Sequence, residues 1–117
     1  MMDARTIIED AITAHLAAGG KITHGTYGIC GLKEDFTLAD EWTVEGAVCP
    51  MGAVALTQPV IQSPASAAQK ALGWNYGALS VFVSTFDGCT VPEEEEKPYK
   101  TQIELGKYFR EKYVGNK

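Results

Sequence analysis

Glycine and proline punctuation cuts this chain into short segments, and that limits what it can fold into more than any other feature. Gly19-Gly20, Gly73 and Gly88 stand where helices stop, Pro50 and Pro64 stand where helices start, and Gly25, Gly28 and Gly31 interrupt the stretch between them. Proline suits the first helical position because its missing N–H is not needed there and its φ is already helical, while glycine accepts the left-handed conformation that closes a helix. The core must therefore be built from short elements, and the apolar periodicity between the breaks tells which kind each one is.

Asp3 is a plausible N-cap for a helix through Ala18, in which Ala4, Ile8, Ala11, Ile12 and His15 share a face and Gly19-Gly20 supply the stop. Ile22, Tyr27, Ile29, Trp42 and Val44 recur among glycines and β-branched residues, so residues 21–45 predict short strands or an ordered loop, with Trp42 and Phe36 tucking the segment onto the helices. Cys49 falls at the N-cap of a small, apolar helix that opens at Pro50 and ends by Pro59. Ser63-Pro64 repeats the cap-then-proline signature ahead of a helix through Leu72, closed by Gly73.

Residues 75–86 read both ways: Val81, Val83 and Thr85 favour a strand, whereas Leu79, Phe82, Val83 and Phe86 fall at helical spacing ahead of Gly88, and a helix is expected. The run Glu93 to Glu96, beside Lys97 and Pro98, predicts a solvated loop. Tyr99, Gln102, Ile103, Gly106, Phe109 and Tyr113 trace a final helix, followed by a frayed Gly115-Asn116-Lys117 tail. The expected fold is mainly α: a compact bundle of about four to five short helices with a small β or loop segment around residues 21–48, in one domain spanning residues 1–117.

Composition narrows the classes of partner. A net charge of -5 lacks the clustered cations that a nucleic-acid binder uses to displace counterions, so no nucleic acid is expected. No apolar stretch approaches the ~18–20 residues of a membrane span, and the start of the chain leads into an amphipathic pattern rather than a signal core, so a cytoplasmic protein with no membrane contact is expected. Cys30, Cys49 and Cys89 are odd in number and contain no CxxC pair, which fits reduced thiols better than a disulfide framework or a zinc ribbon; no metal or cofactor is called for.

The candidate catalytic residues are Cys49, His15, His24 and Asp87. Cys49 stands at a helix start, where N–H groups favour a thiolate, although cysteine is also a common buried small hydrophobe and Met51, Ala53 and Val54 follow it. His24 lies in the polar, glycine-flanked stretch Thr23-His24-Gly25-Thr26, and His15 sits on the apolar stripe of the first helix, where it reads either as a core histidine or as a partner for the thiol. Cys49, a histidine and Asp87 would together satisfy nucleophile, base and orienter roles, but no oxyanion-hole signature accompanies them. The glycine-rich segment 25–31 lacks the strand and helix context of a phosphate loop.

The order of these segments resembles that of an uncharacterised family of small bacterial and phage-borne proteins. In that family a helix opens with Cys-x-x-Gly-Ala, matched here by Cys49-Pro50-Met51-Gly52-Ala53, and a later helix ends in an aromatic-Asn-Asp element. Phe86-Asp87-Gly88 occupies the place of that element, with Thr85-Phe86-Asp87 replacing the triplet, so at most Phe86 or Asp87 carries over. The resemblance implies a helix-rich fold and no particular activity.

Three functional readings follow. The first is a non-enzymatic module that binds another protein or self-associates, for which Trp42, Trp74, Tyr76, Tyr99 and Tyr108 supply aromatic anchors unless they complete the core. The second is a thiol-dependent enzyme or redox protein using Cys49, and the third a small-ligand-binding domain with a pocket near Cys49, His15 and Trp42.

Overall fold

Asp3 Oδ1 accepts the Thr6 backbone N–H at 2.8 Å, pairing one of the four N–H groups that a helix start leaves open. From that cap, in a computed structural model that describes residues 3–115, α1 runs Ala4–Ala17 and buries Ile8, Ala11 and Ile12. Asn116 and Lys117 of the expected frayed tail lie outside the described residues. Among the described residues are six helices and one two-stranded antiparallel sheet, a mainly α fold with a small β segment. The chain divides into two compact units, Met1–Gly73 and Trp74–Lys117.

The first unit holds α1, a β-hairpin and two further helices. β1 spans Ile29–Leu32 and β2 spans Leu38–Val44, with Ile29 opposite Val44, Cys30 opposite Thr43, and an irregularity before Leu32 meets Leu38. α2, Pro50–Leu56, packs on both α1 and α3, Pro64–Leu72. Every residue from Pro50 to Ala55 is buried, and Ala53, Ala55, Ala67 and Ala68 keep the helices close by offering only methyl groups. The proline starts and glycine stop fall as their chemistry requires: Pro50 and Pro64 open their helices, and Gly73 closes α3 with φ 68.

Backbone hydrogen bonds tie residues 21–26 to the entry of α2. Val48 N–H donates to the Lys21 carbonyl, Thr23 N–H to the Val48 carbonyl, and Cys49 N–H to the Thr26 carbonyl. Trp42 is anchored as expected, its indole Nε1–H donating to the Gln58 carbonyl at 2.8 Å and its ring covering Gly31. Phe36 is not tucked in: it is 82% exposed at the hairpin turn, because the short strands end before any helix can cover it.

The second unit holds α4 (Tyr76–Phe86), α5 (Glu93–Glu96) and α6 (Lys100–Tyr113). Asn75 Oδ1 accepts the Ala78 N–H at 2.8 Å, and this cap starts a helix in which Leu79, Phe82 and Phe86 are buried at helical spacing. Phe82 makes ring contacts with Trp74, Phe86 and Phe109, and Phe109 extends the cluster to Tyr113. α6 lies close against α4 at Gly106, where a methyl would stand 2.7 Å from Thr85 Cβ. The acidic run forms one helical turn rather than the expected loop, since carboxylates suit the positive end of a helix.

Candidate functional site

Cys49 is placed as a cap, not as an exposed nucleophile. The Gly52 backbone N–H donates to Cys49 Sγ at 3.4 Å, in the place where a helix start most often presents a serine or aspartate oxygen. The residue is 4% exposed, so a reactant meets almost none of it. A thiolate chemistry needs both a stabilised anion and access; the geometry here supplies a hydrogen bond without the access. Gly52 belongs to the same device, because a Cβ on it would collide with the Tyr27 carbonyl. In Cys49-Pro50-Met51-Gly52-Ala53, the cysteine caps, the proline starts the helix, the glycine admits a neighbouring backbone and the alanine is buried.

His15 does not reach the thiol through Nε2. His15 stands in the last turn of α1, half-buried, with its ring laid over Gly20 so closely that a Cβ there would overlap the imidazole. Its Nε2 is buried and has no hydrogen-bond partner among the described residues, so no bond runs from it to the thiol. It lines a cleft of about 500 Å³ with Lys21, Val44, Gly46 and Ala47. His24 is exposed on a bend, and Asp87 is the C-cap of α4, in the second unit. Among the described residues no group of three or more His, Cys, Asp or Glu is placed to hold a metal ion, and the three cysteines form no disulfide with one another. No helix among them is long and apolar enough to cross a membrane.

The aromatic residues singled out by sequence are mostly used for packing. Trp42, Trp74, Tyr99 and Tyr108 are half-buried, leaving Tyr76 exposed. Phe36, expected to tuck onto the helices, is instead exposed. It adopts φ 65, a left-handed conformation that costs an L side chain about 1–2 kcal/mol. The turn holds it there: Phe36 N–H donates to the Lys33 carbonyl and Lys33 N–H to the Thr37 carbonyl. Asp35 Oδ1 accepts both the Thr37 N–H at 3.1 Å and the Thr37 hydroxyl at 2.6 Å. The same two bonds, hydroxyl first, hold the Asp35 carboxyl below the usual carboxylate range.

Leu32 and Leu38, opposite each other at the ends of the strands, are also exposed, as is Val44 farther along β2. β2 is an edge strand, and apart from its pairing with β1 none of the backbone groups of residues 38–43 bonds to another described residue. The hairpin thus presents a fixed aromatic tip, an apolar base and an open strand edge together. No family model, no curated protein and no solved structure matches this chain.

Proposed function

We propose that this protein is a non-enzymatic protein-binding module whose docking element is the β1–β2 hairpin. The observation that carries this reading is Phe36, an exposed phenylalanine held at positive φ by a turn with four internal hydrogen bonds. A strained aromatic in full contact with water contributes little to folding, and strain of that kind persists where surrounding structure over-determines it and a site makes use of it. Large aromatics on rigid elements are the side chains that dominate binding energy, because they bring apolar area at little entropic cost. The buried, capping Cys49 supports this reading over a thiol chemistry.

A photo-crosslinking amino acid placed at position 36 tests it, with Glu111 on α6, also exposed, as the control position. Crosslinking in a lysate of the source cells should yield a discrete protein adduct from position 36 and none from position 111. The purified partner should then bind Phe36→Gly at least about tenfold more weakly than the unsubstituted protein. Equal adducts from both positions, or a partner indifferent to Phe36→Gly, would contradict the assignment.

A further inference from the structure

The charge on the hairpin specifies what can occupy it. Between residues 33 and 45 lie Glu34, Asp35, Asp40, Glu41 and Glu45, all exposed, against the single ammonium of Lys33. Asp35 is engaged by Thr37, and the other four carboxylates form no ion pair with any described residue. Two of them, Asp40 and Glu41, together with Trp42, form one wall of a groove of about 350 Å³ whose other wall is Leu56 and residues 58–60. An occupant of the open β2 edge therefore covers carboxylates as well as apolar surface, and a carboxylate taken from water without a counter-charge costs far more than the apolar contact gains.

We infer that the occupant is an extended segment of another protein, rich in Lys and Arg, laid along the outer edge of β2 with its cationic side chains on Asp40 and Glu41. This rests on the reading of the hairpin as the docking element. Main-chain pairing to an edge strand supplies affinity irrespective of sequence, and flanking side chains then select the partner. A second copy of this chain is the natural competitor for an open edge, since free strand edges pair with one another. Here that pairing brings the edge carrying Asp40 and Glu41 of one copy against the same acidic edge of the next, and like charges so placed destabilise the pair. The charges that block self-pairing are the ones that admit a basic strand.

Selection of random short peptides on the immobilised full chain tests this directly. Enriched peptides should alternate Lys or Arg with apolar residues. The best of them, synthesised, should lose at least about tenfold in affinity for the Asp40→Asn, Glu41→Gln double variant. A similar loss should follow a rise in NaCl from about 50 to about 500 mM. Enriched peptides that are neutral or acidic and indifferent to salt overturn the basic-partner inference, while leaving the docking element intact if Phe36→Gly still abolishes their binding. Peptides that bind Phe36→Gly as well as the unsubstituted chain overturn the docking element itself. Failure to enrich any peptide, or a concentration-dependent dimer lost in the Phe36→Gly variant, also overturns the inference.

Discussion

The Cys49 sulfur sits where a helix start needs an acceptor, and the residue is buried there. Iodoacetamide should therefore modify exposed Cys89 in the folded protein well before Cys49, which should react only as the chain unfolds. Mass spectrometry of the labelled peptides reads the order, and labelling of Cys49 as fast as Cys89 would contradict its structural role. Cys49→Ser keeps an acceptor for the Gly52 N–H, whereas Cys49→Ala removes it and should be less stable than the serine variant by about 1 kcal/mol in urea unfolding. At position 36 two backbone effects compete. Glycine relieves a left-handed strain of about 1–2 kcal/mol, and its greater freedom in the unfolded chain returns about 0.5–1 kcal/mol. Phe36→Gly should accordingly be as stable as the parent or up to about 1.5 kcal/mol more stable, while binding is lost. The cysteine's capping place could be read from Cys49-Pro50 alone, because a cap and its helix are neighbours in sequence. Phe36 could not, because its exposure follows from a hydrogen-bonded turn and from where the two strands stop pairing.

Among the elements, α1 and the α4–α6 pair allow sharp tests. The Asp3 carboxyl is held below the usual aspartate range, chiefly by the Thr6 backbone N–H. A depressed folded-state pKa means that the cap's stabilisation is complete above the ordinary aspartate range and drains away as pH falls through the folded value. Asp3→Asn, which keeps an acceptor but no charge, should melt close to the parent at acid pH and below it at neutral pH. A thermal melt at each pH reads this, and a gap that widens in acid would refute it. At Gly106, alanine gains about 1 kcal/mol of helix propensity, but its methyl meets Thr85 Cβ and the Phe82 carbonyl, neither of which can swing away. Overpacking at such contacts costs about 1–3 kcal/mol, so Gly106→Ala should be net destabilising in chemical denaturation. α4 shows what local pattern leaves open. Val81, Val83 and Thr85 carry strand propensity, and the helix prevails through the Asn75 cap and the burial of Leu79, Phe82 and Phe86 on one face. Where cap and periodicity agree, as in α1 and α3, the element was legible; in residues 21–48 the pairing register is long-range, and only the presence of β structure was.

Two compact units share one chain with net charge -5, and the hairpin proposed as the docking element belongs to the first. Its acidic edge should keep the purified protein monomeric in sedimentation velocity at low salt, where charge repulsion is least screened. His15 Nε2 has no hydrogen-bond partner among the described residues, Cys49 Sγ accepts the Gly52 N–H, and the hairpin exposes Leu32, Phe36 and Leu38 beside its carboxylates. Whether Phe36 or Cys49 is the working residue is read from one comparison: capture of the position-36 crosslinking partner by Phe36→Gly and by Cys49→Ser, each confirmed as folded by circular dichroism. Cys49→Ser should retain capture and Phe36→Gly should lose it; capture lost with Cys49→Ser and kept with Phe36→Gly would contradict the docking role proposed for the hairpin.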